Sequence, residues 1–209
     1  MRNAFRALAL ALAVALSFAS AVQAAPTTYT IDNGHSNVGF SVRHIFSKVP
    51  GSFTKFSGAI VYDPAKPADS SVKAEIDAST VNTRNEKRDG HLKTEDFFFV
   101  EKYPTITFES TKVTPAGEGK LQVEGNLTMR GVTKPVVLDV TVLGAAQNEK
   151  EAVAGFEAVT KVNRKDFGIN WNRALDQGGM LLGDEVEIRL DVEAKWKNEA
   201  KAEAKPPKS

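Results

Sequence analysis

The sequence predicts an all-β protein: a closed antiparallel barrel of about eight strands around an apolar interior, with one short helix near residues 84–95. Three features carry that expectation. Apolar and polar residues alternate with a period of two through most of the chain beyond Thr27, and helical periodicity is scarce. Turn-forming residues separate the alternating runs at short intervals, as in a meander of neighbouring strands. The strands are also long: Glu185 to Trp196 reaches about 40 Å at roughly 3.3 Å per residue, enough to wall a tilted barrel. Eight strands is the number that encloses one small ligand.

Composition narrows the function. The chain has 209 residues, of which 42% are hydrophobic and 25% charged, with a formal net charge of +1. That is the length of one domain or two small ones, and the charged fraction is that of a globular protein rather than a disordered one. A near-neutral balance argues against a nucleic-acid binder held by phosphate contacts. With no cysteine, disulfides, thiolate metal sites and cysteine catalysis are all excluded.

Read in order, residues 1–24 form a signal peptide. Arg2 and Arg6 precede the apolar run Ala7 to Phe18, and Val22-Gln23-Ala24 supplies a small-residue cleavage site before Ala25. The run is well short of the about twenty residues a membrane helix needs. The barrel domain is expected over 25–197. Its first strands carry Val38, Phe40 and Val42, with Asn33-Gly34 before them as a hairpin signal. Asp63-Pro64 and Pro67 mark a longer loop, and Val72, Ala74, Ile76 and Ala78 alternate after it. Thr83-Arg84-Asn85-Glu86 has the form of a capping box, so the helix starts there. Phe97-Phe98-Phe99 then forms either an apolar plug at a cavity mouth or a simple closure of the barrel end. Strands with Ile106 and Phe108, then Leu121 and Val123, are joined through Gly117-Glu118-Gly119; Arg130-Gly131 leads into the strand with Leu138. Val162 to Asp184 breaks the alternation yet holds Phe167, Trp171 and Met180, so it must be buried against something. Val186, Ile188, Leu190 and Val192 mark the last strand, and residues 198–209 form a solvated tail.

Catalytic chemistry is scarce. The three histidines are His35, His44 and His91. On one strand the first two lie on opposite faces, so they do not share a metal, and His91 with either one makes a weak site. Ser36 lacks a nucleophile elbow, and no phosphate-binding glycine loop occurs. No metal or redox cofactor is expected.

An ordered set of motifs resembles the YceI-like polyisoprenoid-binding proteins. It begins with Asp32-Asn33-Gly34-His35-Ser36 and continues through Arg88-Asp89-Gly90-His91-Leu92, Asp96-Phe97-Phe98 and Tyr103-Pro104-Thr105-Ile106-Thr107-Phe108. Gly125-Asn126-Leu127-Thr128, Gly131-Val132-Thr133-Lys134-Pro135-Val136, Asn163-Arg164-Lys165-Asp166-Phe167-Gly168 and Gly183-Asp184-Glu185-Val186 complete it, from roughly Thr27 to Lys195. The resemblance implies a lipocalin-like barrel, exported to the periplasm, that holds a long isoprenoid or similar amphiphilic lipid. Phe40, Val42, Ile76, Phe108, Leu138, Phe156, Ile188 and Leu190 are the expected inward wall. Phe97, Phe98, Phe167, Trp171 and Met180 are expected to close the end. His44, Arg88, His91, Arg164, Asp166 and Asn170 are the candidates for a polar head, with Arg88 and Asp166 equally readable as charges that hold loops down.

Three other readings compete. An outer-membrane barrel would turn the apolar face outward, but the tryptophans and tyrosines are too few for two aromatic girdles. An enzyme acting on a lipid headgroup would use His91, His44 and Arg164 at the mouth, without a nucleophile–base pair. A stress-related interaction protein would hold its cavity incidentally. The partner expected is a lipid; nucleic acid and stable membrane insertion are not expected, and a homodimer stays open.

Overall fold

The computed structural model describes residues 27–147, 151–176 and 178–197. The expected signal peptide with its Ala24–Ala25 junction and the expected tail from Asn198 lie outside the described residues.

Eleven strand segments form one antiparallel sheet. They are β1 Thr27–Ile31, β2 Asn37–His44, β3 Ser47–Phe53, β4 Phe56–Tyr62, β5 Ser71–Asp77, β6 Val81–Asn82, β7 Thr105–Pro115, β8 Lys120–Met129, β9 Val132–Gln147, β10 Glu151–Asn163 and β11 Leu182–Lys197. One helix, α1 Glu86–Lys93, lies between β6 and β7. The register resolves the eleven segments into an eight-strand meander. β1 and β2 both run antiparallel to β11, β3 pairs with β2 where β4 pairs with β1, and β6 pairs with β3 where β5 pairs with β4. Three wall strands are therefore each broken in the middle: β1 with β2, β4 with β3, and β5 with β6. β7 to β11 complete the wall, and β1 pairing with β11 closes it.

The alternation in the sequence is the cause of this shape. Along β8 the even-spaced Leu121, Val123, Leu127 and Met129 are buried while Lys120, Gln122, Glu124 and Asn126 face water. On the outside, cross-strand ion pairs such as Lys48–Glu187, Lys112–Glu124 and Lys161–Glu185 follow the same register. Two turns behave as their residues require. Arg130 and Gly131 both take positive φ between β8 and β9, and Gly117 and Gly119 do so between β7 and β8.

Two expectations are corrected. Asn33-Gly34 is not a hairpin: β1 and β2 continue in one direction, and residues 32–36 form a bulge between them. Asp32 folds that segment locally, accepting from the Gly34 amide at 2.9 Å, while the Ser36 hydroxyl fastens it to the Glu193 backbone. The helix cap is also displaced. Asn85, not Thr83, caps α1 by accepting from the Arg88 amide, because Arg84 takes φ 62° and Thr83 is engaged by Asp89.

Gly58 sits where β4 passes β5 closely. A β-carbon there would stand 2.5 Å from the Lys73 carbonyl oxygen and 2.8 Å from Ile31. Gly58→Ala should cost about 1–3 kcal/mol of stability through overpacking. Gly90→Ala, in α1 with open space at the added carbon, should be neutral or stabilising by up to about 1 kcal/mol. Thermal unfolding of the two variants side by side checks both.

Candidate functional site

The inward faces of all the wall strands surround one cavity of about 260 Å³. Phe40, Val42, Ile76, Phe108, Leu138, Phe156, Ile188 and Leu190 all line it, and Phe97 and Phe98 come down onto it from the β6–β7 connection. Phe98 packs edge-on against Phe53 at 5.5 Å, and Tyr62 against Phe156 at 5.4 Å. Arg164 is the charged residue among the lining groups. An enclosed apolar space with few polar groups is the form of a site for an apolar ligand.

One end of the barrel gathers the β2–β3 turn, the β6–β7 connection, the β8–β9 turn and the β10–β11 connection. Polar residues fasten these together. Arg164, only 3% exposed, donates to the carbonyls of Gly183 (2.9 Å), Ile169 (2.8 Å) and Trp171 (2.8 Å) and to the Asp184 carboxylate (3.1 Å). Burial pulls its guanidinium below the ordinary value, opposed by the Asp184 charge. The Asp184 carboxyl is held below the usual carboxylate range, first by its hydrogen bond from Lys165 and then by the charges of Lys165 and Arg164. Arg130, which the sequence reading missed, donates to the carbonyls of Gly168 and Glu95 and so joins two loops. Nothing in its local pattern announces that role, because both acceptors lie more than thirty residues away.

The candidate head-binding groups are placed as follows. Arg88 donates to the hydroxyl and carbonyl of Thr83, locking the entry to α1. His91 meets Asp96 at 2.8 Å and lies edge-on to Phe97 and Trp171 at about 5 Å. His44 is half-buried at the end of β2 opposite Leu182, and Asp166 and Asn170 are exposed. None of these five lines the cavity. Phe167, 1% exposed, and Trp171 support the closed end from behind. Met180 does not close it: 60% of its side chain is exposed, because the short bridge to Ala174 turns the loop tip outward.

On the outer wall, Asp32, His35 and Glu193 each bring one ligand atom within 4.8 Å of the others. The Lys195 ammonium already stands 2.5 Å from Asp32 and 2.9 Å from Glu193. This cluster fastens the bulge to β11. Its hydrogen bonds from Lys195 and His35 hold the Asp32 carboxyl far below the usual range.

Fold and cavity together define the class, an antiparallel eight-stranded barrel closed around an apolar binding space. The chain belongs to the YceI-like family, whose domain matches residues 29–194. A UPF0312 protein of Vibrio cholerae is 38% identical over 164 residues, 78% of this chain and 87% of that protein. Burkholderia cenocepacia BcnA superposes with a TM-score of 0.69 at 30% identity, over 78% of this chain and 99% of that one. A polyisoprenoid binding domain from Saccharophagus degradans shares the fold, with a TM-score of 0.58 at 16% identity over 79% and 97% of the two chains.

Removing the Arg164 guanidinium leaves three carbonyls without a donor and Asp184 without its buried partner. Arg164→Leu should therefore lower stability by about 1–3 kcal/mol, measured by denaturant unfolding, equally with and without ligand; Asp184 keeps Lys165 as its partner. Acid acts through the depressed carboxyls, Asp32 and Asp184 together with Asp77 and Glu187. Their contribution is complete above the unfolded carboxyl pKa of about 4 and is lost as pH falls through the folded value. Stability should drop below about pH 4, and Asp32→Asn with Asp184→Asn should flatten that slope.

Proposed function

We propose that this protein is a carrier that sequesters a long-chain isoprenoid, or a similar amphiphilic lipid, inside its barrel. Export through residues 1–24 and cleavage between Ala24 and Ala25 put it to work in the periplasm, with no metal or redox cofactor. The observation that carries this reading is the apolar cavity, whose lining suits a hydrocarbon chain better than water. The family supports it, and so does the fold shared with a polyisoprenoid binding domain.

The alternatives are weaker on specific grounds. The outer face carries paired charges such as Lys161–Glu185, which does not suit contact with hydrocarbon. An enzyme acting on a headgroup would need free polar groups at the mouth. Arg164 and His91 are instead bonded to the protein itself.

A ligand of about twenty carbons, at ~0.3 kcal/mol per atom, gives roughly 6 kcal/mol, or tens of micromolar. Longer chains should bind more tightly, as far as the wall can sheathe them. Organic extraction and mass spectrometry of the purified protein should recover such a lipid. Ile188→Trp, which fills the cavity from β11, should keep the fold and abolish most of the yield. An empty wild-type protein, or flat affinity across chain lengths, would sink the proposal.

A further inference from the structure

We infer that the tip of the β2–β3 hairpin, Ile45-Phe46, with Met180 beside it, is the face by which this barrel touches a lipid bilayer. This rests on the carrier reading, and adds where the lipid is exchanged.

The turn breaks the rule for its type. His44 pairs with Ser47, so Ile45 and Phe46 are the two central residues of a tight hairpin. Such turns favour glycine or asparagine, above all where φ is positive. Here Ile45, a β-branched residue, takes φ 52°, a conformation that strains any side chain with two branches at Cβ. Phe46 is 97% exposed, more than any other large hydrophobic residue among those described. Ile45 is half-buried, but Phe46 gains the folded protein no packing. A local rule broken without a gain in the fold marks a functional position.

The surroundings suit an anionic interface. The Ile45 amide donates to the Leu181 carbonyl at 3.0 Å, which brings the exposed Met180 to the same rim. Arg43 and Lys48 face each other across the base of the hairpin. Arg173 belongs to the same rim, its carbonyl accepting from the Leu181 amide. Lys48 pairs with Glu187 at 2.7 Å; Arg43 and Arg173 make no ion pair among the described residues, and Asp176 is the acidic group of that loop. An exposed apolar tip with the cations Arg43 and Arg173 beside it is the pattern of a segment that seats in the headgroup layer. The tip is also close to the cavity. Val42 and Leu182 line it, and Phe46 lies four residues beyond Val42, about 13 Å along the strand at ~3.3 Å per residue.

The test uses the chain from Ala25, which holds the whole described barrel without the apolar leader, as wild type and as Phe46→Asp and Arg43→Gln/Arg173→Gln. Flotation with phosphatidylcholine vesicles, with and without phosphatidylglycerol, measures docking. Uptake of a polyprenol, from those vesicles or from detergent, measures loading. Wild type should float with the anionic vesicles. Phe46→Asp should bind them roughly tenfold or more weakly and load from vesicles correspondingly slowly, while loading from detergent stays at the wild-type rate. The double arginine variant should lose the preference for phosphatidylglycerol. Equal flotation of wild type and Phe46→Asp overturns the inference. So does a change from dimer to monomer in Phe46→Asp with flotation unaltered, which would make the tip a contact between two copies. Failure of wild type to load from detergent would count against the carrier reading instead, with flotation still deciding the docking face.

Discussion

Closure of the barrel falls on β11, which gives one edge to β10 along its length and divides the other between β1 and β2. The division has a geometric cost. Moving from Ile31 to Asn37 on one side matches only the step from Ala194 to Asp191 on the other, so three residues must be absorbed without losing direction. Residues 32–36 do this. The Asp32 amide donates to the Glu193 carbonyl at 2.8 Å, and the Ser36 hydroxyl both donates to and accepts from the same residue. Asn33 reaches sideways to the Thr54 carbonyl and the Phe56 amide, tying in the matching break between β3 and β4. The joint lets β11 hold both β1 and β2, and so the ring closes.

Once the ring is closed, its hollow interior follows from the alternation, and so does the work left for the polar residues. Side chains that line a cavity make fewer contacts with one another than those of a filled core. Hydrogen bonds at its closed end and on its outer wall fix the connecting segments. Arg164 and Arg130 join connecting segments that the strand ladder leaves apart, Arg88 with Thr83 locks the entry to α1, and the Asp32–Lys195 pair fastens the bulge to β11. The motif residues that stand out in the sequence are mostly these fasteners.

That explains which parts of the molecule were legible. Period-two alternation is local, so the strands, the meander and the eight apolar wall positions could be read from the chain. The turn at Arg130-Gly131 was legible for the same reason. Asn33-Gly34 was misread, because its bulge depends on Glu193, some 160 residues distant, and nothing nearby distinguishes it from a hairpin. Thr83 looked like a cap until Asp89 claimed its hydroxyl and amide. Arg164 has the residue type of a headgroup ligand, and only its burial among three carbonyls gives it the other role. Phe46 gave no signal, since an apolar residue in a strand pattern reads as core.

With these fasteners engaged, the hydrogen-bonding groups left along the cavity are a few hydroxyls, among them the buried Ser70 Oγ, which has no partner among the described residues. Hydrophobic burial is proportional to area and has no direction. On the carrier reading, orientation must then come from exclusion. A polar head drawn inside without a partner would cost about 2–7 kcal/mol, which is as much as burying several methylenes at ~0.8 kcal/mol each returns. The head therefore stays in water and the tail goes in. Selection among ligands rests on how much chain the wall can sheathe, so such a barrel discriminates by length and girth far more than by the chemistry of the head.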